Sequence, residues 1–393
     1  MSTVKRILFV LFEGLPATVI DTQVLLHADA VQKASAAQFE IWSFCGGRAL
    51  YESSLERLEA AQRLANSPVR VFRAIRAGVP GSKLVNREIF RNLLRKRKGD
   101  FDFVHARNDY IAAVVGPVLR SAGLPMLWDC RGDSVAEFDE RTGGQSLPGV
   151  VKDARKRVIL REREIAARDC SAALFVSRPL ASLNKGWLGD KPYEVVPCSA
   201  PESLFHFDHE LRREMRQRLG YTENDRVLVY SGGLAAYQRV PDMLQLFREL
   251  RAADGRTKLL LVTPDTERMR QMCRDIAPSD VQLHAGQIGE INAFLNAADA
   301  GFILRAHNDI NRAAFPTKFA EYCLAGLPVI MDDAVPDCAA LADRWGNRLA
   351  PEPQAILAGL SSKIDRARVM EFARGVVTRS AVMPQYKKIY GIP

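Results

Sequence analysis

Cysteine is sparse in this sequence, and its arrangement suggests neither a metal site nor a disulfide framework. The seven cysteines among 393 residues include no C-x-x-C pair. Scattered single cysteines are typical of reduced, packed thiols in a cytoplasmic protein. Metal binding is not indicated either, because neither the cysteines nor the six histidines have the spacing of a ligand set.

Long hydrophobic runs are also missing. No apolar stretch approaches the roughly 20 residues that a membrane-spanning helix needs. The first residues, MSTVKRILFVLFEG, combine one basic pair with a short apolar run, and acidic and turn residues follow. This order predicts a first β-strand and not a cleaved signal peptide. We therefore expect a cytoplasmic protein.

Acidic residues are outnumbered by basic ones, 46 to 55, which gives a formal charge of +9. The excess favours an anionic partner without choosing among nucleic acid, membrane and phosphate ligands. Two predicted basic helices, 87–98 and 152–168, carry much of it, and the simplest interpretation is two solvated faces. The alternative is peripheral contact with anionic lipid at the inner face of the cell membrane. Without a basic strand interleaved with aromatics or a recognised motif, we expect no nucleic-acid partner.

Short apolar runs alternate with amphipathic helical patterns along the whole chain. RILFVLF (6–12) and FDFVHAR (101–107) predict strands, and the pattern restarts near residue 200 with VLVYSGG (227–233). Such alternation predicts parallel sheets covered by helices on both faces. We predict an α/β protein of two Rossmann-like, doubly wound domains, 1–199 and 200–380, which face each other across a cleft where ligands bind.

The segment FPTKFAEYCLAGLPVI places a lysine at the mouth of a predicted helix. Backbone amides, the helix dipole and Lys318 converge there after Thr317, which suits a phosphate. Glu321, one turn further on, would repel a phosphate, but its carboxylate suits a ribose diol. Arg305 and Asn308 follow the preceding strand and would lie beside them. The alternative is an exposed lysine and an ordinary helix-face carboxylate.

A glycine turn precedes this segment in the same half of the chain. In YSGGLAAYQRV (230–240), Gly232 and Gly233 connect a strand to a helix, and glycines there let backbone amides approach a diphosphate. The stretch matches neither the P-loop nor the G-x-G-x-x-G pattern. A plain strand-to-helix turn is the alternative.

These pieces together carry a resemblance. ILRAHNDINRAAFPTKFAEYCLAGLPVI, with YSGGL upstream and VPCSAPESLF at the domain join, resembles a GT-B glycosyltransferase of family 4, the bacterial retaining enzymes of polysaccharide and lipopolysaccharide synthesis. The resemblance extends over the whole chain. It implies that the C-terminal half binds a nucleotide-diphosphate sugar and that the N-terminal half binds a glycan or lipid-linked acceptor. It also implies a closing helix, 381–393, that crosses back to the first domain.

The resemblance assigns donor-binding roles to matching positions. Glu321 corresponds to the carboxylate that binds the ribose, and Lys318 to the loop at the diphosphate. Gln287 and Ile288 correspond to the segment whose backbone meets the base. The expected donor-binding residues are Gly232, Gly233, Arg239, Gln287, Ile288, Asn308, Thr317, Lys318 and Glu321.

The sequence departs from the family pattern in two places. The glutamate expected eight positions before Glu321 is Ala313 here. The usual arginine and lysine after the first donor-domain strand are absent, and Arg239 is shifted by one position from the lysine. We therefore expect Arg305 and Lys318 to carry the diphosphate charge, with Arg239 as a further candidate.

The predicted chemistry is stabilisation of a leaving diphosphate. Glycosyl transfer develops positive charge at the anomeric carbon and negative charge on the leaving group, which fixed cations and dipoles stabilise. No Asp-x-Asp stands in a suitable place, and the adjacent Asp332 and Asp333 predict a helix start. We predict catalysis by Lys318, Arg305 and a helix N-terminus, without metal or cofactor.

The acceptor side is expected at the carboxyl ends of the N-terminal strands. His105 could take the acceptor proton, and Asp129 could orient an acceptor hydroxyl. The alternatives are a structural pair of Asp129 with Arg131, and a mechanism in which the leaving phosphate receives the proton. The expected acceptor-binding residues are Glu13, Gly14, Arg107 and Arg131.

The function that these expectations favour is retaining, metal-independent transfer of a sugar from a nucleotide-diphosphate sugar in surface-polysaccharide biosynthesis. A GT-B epimerase or hydrolase of a sugar nucleotide would share the nucleotide site but use carboxylates and histidines of the first domain as acid and base. A non-catalytic basic binding protein is the alternative from another class.

Overall fold

The computed structural model describes residues 4–143, 148–362 and 364–392. The chain forms two compact units, which we call unit 1 and unit 2. Unit 1 comprises Met1–Pro197 and Val382–Pro393, and unit 2 comprises Cys198–Ala381.

Unit 1 contains, in its described part, a seven-stranded sheet in which every pairing is parallel. Its strands are β1 (Lys5–Leu11), β2 (Ala37–Gly46), β3 (Val69–Ala74), β4 (Phe103–Arg107), β5 (Met126–Cys130), β6 (Ala172–Phe175) and β7 (Tyr193–Val195). The order is β3-β2-β1-β4-β5-β6-β7. Because the order changes direction at β1, the carboxyl ends of β1 and β4 border the crevice where open α/β sheets bind ligands.

Helices connect these strands. They are α1 (Thr18–Ile20), which continues through a π-helical turn (Asp21–Leu25) into α2 (Leu26–Ala34), then α3 (Arg48–Glu56), α4 (Leu58–Ala65), α5 (Ser82–Arg95), α6 (Asp109–Ala122), α7 (Ser134–Thr142), α8 (Gly149–Asp169) and α9 (Arg178–Leu188). Asn108 begins α6, where its side chain accepts a hydrogen bond from Ile111 N at 3.1 Å. This cap starts the helix directly after β4.

The core of unit 1 is built on continuous apolar strands. Ile7, Phe9 and Leu11 of β1 are fully buried, and so are Leu8 and Val10 between them. Burial of both strand faces is typical of a parallel sheet between two helical layers. The segment VRVFRAI, which could have been strand or helix from its sequence, forms β3 because it pairs along β2.

Unit 2 repeats the architecture with a parallel six-stranded sheet in its described part, ordered β10-β9-β8-β11-β12-β13. The strands are β8 (Arg226–Ser231), β9 (Thr257–Val262), β10 (Val281–His284), β11 (Ala300–Phe302), β12 (Val329–Ile330) and β13 (Arg348–Leu349). The α-helices are α10 (His209–Arg218), α11 (Val240–Ala253), α12 (Thr266–Met272), α13 (Ile288–Ala297), α14 (Asp309–Ala313), α15 (Thr317–Leu324), α16 (Pro336–Trp345), α17 (Pro353–Ser361) and α18 (Arg366–Val377), and a 3-10 turn spans Ala236–Gln238. The final helix, α19 (Arg379–Tyr390), returns the chain to unit 1.

The predicted helix start at Asp332 and Asp333 is wrong. Helix α16 begins at Pro336, and Asp332 instead accepts a hydrogen bond from Ala334 N at 3.0 Å within the preceding turn. Proline at the first position of a helix supplies the start that the acidic pair was expected to provide.

All seven cysteines are buried and none forms a disulfide, as expected from their spacing. Burial raises the pKa of the Cys170 and Cys273 thiols to about 11. In the described part of the chain, no helix is both long enough and apolar enough to cross a bilayer.

Candidate active site

The glycine turn after β8 and the start of α15 meet in unit 2. Gly232 has a φ of +147°, and a Cβ built on it would lie 2.6 Å from Lys318 Nζ. A residue with a side chain would therefore both strain the backbone and displace the lysine. Two motifs that lie 86 positions apart in the sequence form one site.

Lys318 is buried within this site. Its side chain donates a hydrogen bond from Nζ to Gln238 Oε1 at 2.8 Å, and Nζ lies 4.2 Å from the ring centroid of Tyr230. Burial, reinforced by the charge of Arg305, holds the pKa of Lys318 well below its usual value. The lysine is thus held in place but poorly compensated for its lost hydration.

Arg305 supplies a second buried cation. It is 7 % exposed, and its guanidinium carbon lies 5.4 Å from the ring centroid of Tyr237. Burial lowers the pKa of Arg305. Within the described residues, no carboxylate forms an ion pair with Arg305 or Lys318. We call these two residues the cation pair. Two buried like charges without a counter-charge are unfavourable, and a bound anion would relieve the cost.

Gln238 and Tyr230 orient the lysine. Tyr230 Oη donates to Gln238 Oε1 at 2.7 Å, and the same amide oxygen receives the Lys318 ammonium. Neither residue was among the predicted site residues. Gln238 stands where a cation was expected, and the structure gives it the different task of aligning a cation supplied by α15.

The first turn of α15 is open to a ligand. Pro316 precedes the helix and provides no side-chain cap, and Thr317 is half-buried. The first amides of a helix have no partners inside the helix, and its dipole favours negative charge there. The eight-residue helix therefore adds its N-terminus to the cation pair.

Glu321 lies one helical turn after Lys318. It is partly buried, and its carboxylate forms no hydrogen bond or ion pair within the described residues. Burial raises its pKa to about 7, although the charge of Lys318 opposes this shift. The carboxylate is thus close enough to influence Lys318 electrostatically, yet its acceptor oxygens remain available to a ligand.

A buried tyrosine anchors the helix that carries these groups. Tyr322 Oη accepts a hydrogen bond from Ser231 N at 2.7 Å, which ties α15 to the end of β8. A Cβ at Gly301 would lie 2.4 Å from the Tyr322 ring, so that glycine gives the ring its space. The position of Lys318 therefore depends on packing beneath the site as well as on contacts within it.

Arg239 does not join the cation pair. Its Nε donates to Asp242 Oδ2 at 2.8 Å, and its Nη1 donates to Asp332 Oδ2 at 3.3 Å. Its charge is thus compensated by two carboxylates at the surface. Arg239 is therefore a weaker candidate for the diphosphate than the cation pair, and its role there stays a prediction.

The remaining predicted donor contacts lie at other helix starts. Asn308 Oδ1 accepts from Asn311 N at 3.0 Å and so caps α14. Gln287 is exposed, and its backbone N–H donates to Glu290 Oε2 at 3.1 Å. Ile288 is the first residue of α13. The side chain of Asn308 and the amide of Gln287 are therefore engaged by their own helices.

A second polar cluster lies at the carboxyl ends of β1, β4 and β5 in unit 1. Asp129 is 2 % exposed, and its Oδ2 lies 3.1 Å from His105 Nε2 and 3.8 Å from Arg107 Nη1. Its Oδ1 accepts from Arg131 Nη1 at 3.3 Å. We call these four residues the Asp129 network. Although burial opposes it, the surrounding positive charge, that of Arg131 above all, holds the pKa of Asp129 well below its usual range.

Glu13 forms the outer end of this cluster. It accepts a hydrogen bond from Arg107 Nε at 2.7 Å, and its side chain is one-third exposed. Gly14, with a φ of +71°, allows the chain to turn directly after it, and a Cβ there would lie 2.6 Å from Leu50 Cδ1. Of the expected acceptor-side groups, Glu13 is the carboxylate that reaches solvent.

His105 is enclosed within unit 1. It is 1 % exposed, and its Nδ1 lies 2.7 Å from Tyr390 Oη. Burial lowers its pKa despite the adjacent Asp129. Both ring nitrogens face protein groups, so the expected transfer of an acceptor proton to His105 does not fit this geometry. The alternative in which Asp129 pairs with Arg131 agrees with the observed contact.

The described residues include no group of three or more His, Cys, Asp or Glu side chains arranged to hold a metal ion. The cation pair is the electropositive feature of the candidate site.

Comparison with known proteins gives similar structures and one family model that matches part of the chain. The GT-B fold is shared with solved structures that match nearly the whole chain. Sucrose-phosphate synthase from Thermosynechococcus elongatus aligns with a TM-score of 0.71 at 12% identity, over 98% of both chains. HepE of Anabaena in complex with UDP aligns with a TM-score of 0.71 at 15% identity, over 98% of this chain and 99% of that one. The lipopolysaccharide outer core galactosyltransferase WaaB, in its apo form, aligns with a TM-score of 0.62 at 12% identity, over 98% of both chains.

At such identities these likenesses establish the fold, and the predicted GT-B architecture is confirmed. Residues 212–366 match the model of the family "Glycosyl transferases group 1". The segment contains the glycine turn, the cation pair and Glu321. The prediction of a glycosyltransferase is confirmed by this match. No curated protein sequence matches the chain.

Proposed function

We propose that this protein is a retaining, metal-independent glycosyltransferase that moves a sugar from a nucleotide-diphosphate sugar to a glycan or lipid-linked acceptor in surface-polysaccharide biosynthesis. The observation that carries the proposal is the cation pair beside the glycine turn. In the described part of the chain, neither buried cation forms an ion pair with a carboxylate, and a diphosphate is the ligand whose charge and size would complement them.

The proposed chemistry follows from this placement. As the bond between the anomeric carbon and the diphosphate oxygen breaks, negative charge grows on the leaving group. Lys318, Arg305 and the first amides of α15 would stabilise that charge. Little reorganisation is needed at α15, because Gln238 holds Lys318 and Tyr322 ties the helix to the end of β8. Glu321 would accept hydrogen bonds from the ribose hydroxyls.

HepE was solved with UDP, which makes UDP the first nucleotide to test. We expect UDP to raise the melting temperature, or GDP or ADP if the protein binds a different base. At a ligand concentration of 100 times Kd, binding should add about 2.7 kcal/mol to the free energy of unfolding. Lys318→Met should abolish the shift. Arg239→Ala is the matched control, since it removes a compensated cation near the same turn. Equal shifts in wild type and Lys318→Met would contradict the proposed site.

The class of reaction is tested separately. Transfer of label from a nucleotide sugar to an acceptor in membrane or glycan extracts would support a transferase acting on a surface polymer. Interconversion of the donor alone would favour an epimerase or hydrolase. Full activity after treatment with a chelator is expected, and a strict requirement for a divalent cation would overturn the proposed leaving-group chemistry.

Contact with the inner face of the cell membrane is a second part of the proposal. Exposed apolar side chains lie among basic residues on α5, α8 and the loop before α5, with Leu84 67% and Val150 81% exposed. The two helices are joined by an ion pair of 3.1 Å between Lys83 Nζ and Glu162 Oε1. Apolar side chains surrounded by cations suit the boundary between anionic headgroups and acyl chains.

Sedimentation with vesicles tests this contact. We expect the protein to bind phosphatidylglycerol vesicles and to bind phosphatidylcholine vesicles weakly. Leu84→Glu with Val150→Glu should release it. Leu183→Glu, which changes an exposed leucine on α9, is the matched control. Equal binding of the double variant and the control would argue against this surface.

A further inference from the structure

The hydroxyl of Tyr390, near the end of α19, connects two buried histidines of unit 1. Tyr390 Oη lies 3.0 Å from His27 Nε2 on α2 and 2.7 Å from His105 Nδ1 on β4. All three side chains are at most 1 % exposed. The sequence resemblance implied a closing helix here, but it gave no sign that a side chain of this helix reaches a polar group.

The direction of the hydrogen bonds follows from the last member of the chain. Asp129 can only accept, because its ionised form is strongly favoured. His105 Nε2 lies 3.1 Å from this carboxylate, an ion-pair distance without the alignment of a hydrogen bond, and must then carry the proton. In a neutral imidazole the other nitrogen is an acceptor, so Tyr390 Oη donates to His105 Nδ1.

The hydroxyl of Tyr390 has one proton to give. Since that proton is directed to His105, the tyrosine oxygen is left to accept from His27 Nε2. The three groups thus form a single directed chain that ends at Asp129. Stacking of Phe9 on the His105 ring, with centroids 4.0 Å apart, limits any rotation of the imidazole.

We propose that Tyr390 is a positioning residue for the acceptor side: its hydroxyl fixes the tautomer of His105, which in turn holds Asp129. Asp129 Oδ2 lies 3.8 Å from Arg107 Nη1, and Arg107 Nε donates a hydrogen bond to the partly exposed Glu13. The inference rests on the proposed function for the role of Glu13 towards an acceptor, but the hydrogen-bond chain itself does not.

The tautomer is measurable in the full-length protein labelled with ¹⁵N-histidine. The chain has six histidines, and His105→Gln identifies the resonance that is lost. We expect wild-type His105 to be protonated at Nε2 with Nδ1 hydrogen-bonded. In Tyr390→Phe, the Nδ1 resonance should move towards that of a free pyridine-type nitrogen, or the two tautomers should both appear. Protonation at Nδ1 in the wild type, or an unchanged spectrum in Tyr390→Phe, would overturn the proposal.

Two comparisons distinguish the loss of the Tyr390 hydroxyl from a general loss of structure. The phenylalanine keeps the ring that packs against Phe39 and Phe103. Tyr221→Phe is the matched control, because the buried hydroxyl of Tyr221 has no hydrogen-bond partner in the described part of the chain. If Tyr390→Phe does not fold, 3-fluorotyrosine at position 390 retains the ring and strengthens the donor. It should then shift His105 Nδ1 in the opposite direction, and no shift would again overturn the proposal.

The effect on turnover is a separate readout. With UDP-glucose as the probe, Tyr390→Phe should lower the rate of UDP release about tenfold, as expected for one lost hydrogen bond to a network with charged members. The UDP-induced shift in melting temperature should not change, because the cation pair lies in unit 2. Unchanged UDP release with an altered tautomer would remove the positioning role. Absence of any release by the wild type would count against the proposed function with this donor, and the spectrum would then decide the role of Tyr390.

Discussion

The two polar centres of this protein differ in whether their buried charges form ion pairs with opposite charges. In unit 1, the carboxylate of Asp129 faces His105, Arg107 and Arg131. Arg107 also forms an ion pair with Glu13. In unit 2, Lys318 and Arg305 are buried to a similar degree, but no carboxylate in the described residues forms an ion pair with either. The buried carboxylate of the first centre faces opposite charges within the protein, whereas the second centre has an excess of positive charge.

This difference distinguishes a network that compensates its own charge from a candidate binding site. A compensated cluster stabilises its own geometry, and removal of one member leaves the others unpaired. An uncompensated pair lowers the stability of the empty protein and gains stability when an anion arrives. The cation pair is therefore the stronger candidate for direct contact with a ligand, and the Asp129 network is the stronger candidate for support.

The largest effect is expected from Asp129→Asn. Removal of the carboxylate takes away the buried negative charge that Arg107 and Arg131 face, which should lower the free energy of unfolding by about 3–5 kcal/mol. Because the pKa of Asp129 is lower in the folded protein, its contribution is present above its unfolded value of about 3.9 and is lost as the pH falls through the folded value. Denaturant unfolding at pH 7 measures the loss. Asp242→Asn, which removes an exposed ion pair, is the control. An equally small change in the free energy of unfolding in both variants would contradict the structural role of the Asp129 network.

Lys318→Met should lose activity without losing stability, unlike Asp129→Asn. We expect turnover to fall by about 10²–10³-fold, because a cation that stabilises the leaving group is lost. The ligand-free protein should be as stable as the wild type or more stable, because a desolvated charge has been removed. Steady-state kinetics and thermal unfolding of the same preparation give both numbers. A loss of stability as large as that of Asp129→Asn would show that the lysine serves the fold.

Glu321→Gln tests the candidate site through the pH dependence of the protein's stability. The pKa of Glu321 is raised to about 7 in the folded protein, so the carboxyl group lowers stability as the pH rises from its unfolded value through 7. The variant should therefore exceed the wild type by up to about 3 kcal/mol at pH 8 and by little at pH 5. Melting curves across this range test the slope. A constant difference between the two proteins would be inconsistent with a titrating Glu321.

Arg239→Ala should have the smallest effect. The guanidinium is compensated by Asp242 and Asp332 at the surface, and such pairs contribute about 0–1 kcal/mol. Nucleotide affinity should change less than threefold. Isothermal titration with UDP measures it, and a loss comparable to that of Lys318→Met would restore Arg239 to the diphosphate site.

The architecture could be predicted from the sequence because its signals are local and repeated. Apolar strands and amphipathic helices alternate in both halves, and each strand run is recognisable by itself. The grouping of Lys318 with Gly232 was also predictable, since both motifs follow strands of one parallel sheet and must meet at its carboxyl edge.

What the sequence could not reveal depends on side chains that meet only after folding. Arg239 stands one position beyond Gln238, and only the 3-10 turn decides that Gln238 faces Lys318 while Arg239 faces Asp242. His27 and Tyr390 are separated by 363 positions, and neither lies in a motif. The burial of His105 likewise follows from the docking of α19, which periodicity does not specify.

The burial of every cysteine gives the protein a practical property. Thiols that are buried react slowly with maleimides, so the natural chain should give little background in chemical labelling. A cysteine placed at Leu84 would be the accessible thiol and could carry an environment-sensitive fluorophore. Its emission would report the arrival of that surface at a lipid bilayer in real time, without the removal of a single native cysteine.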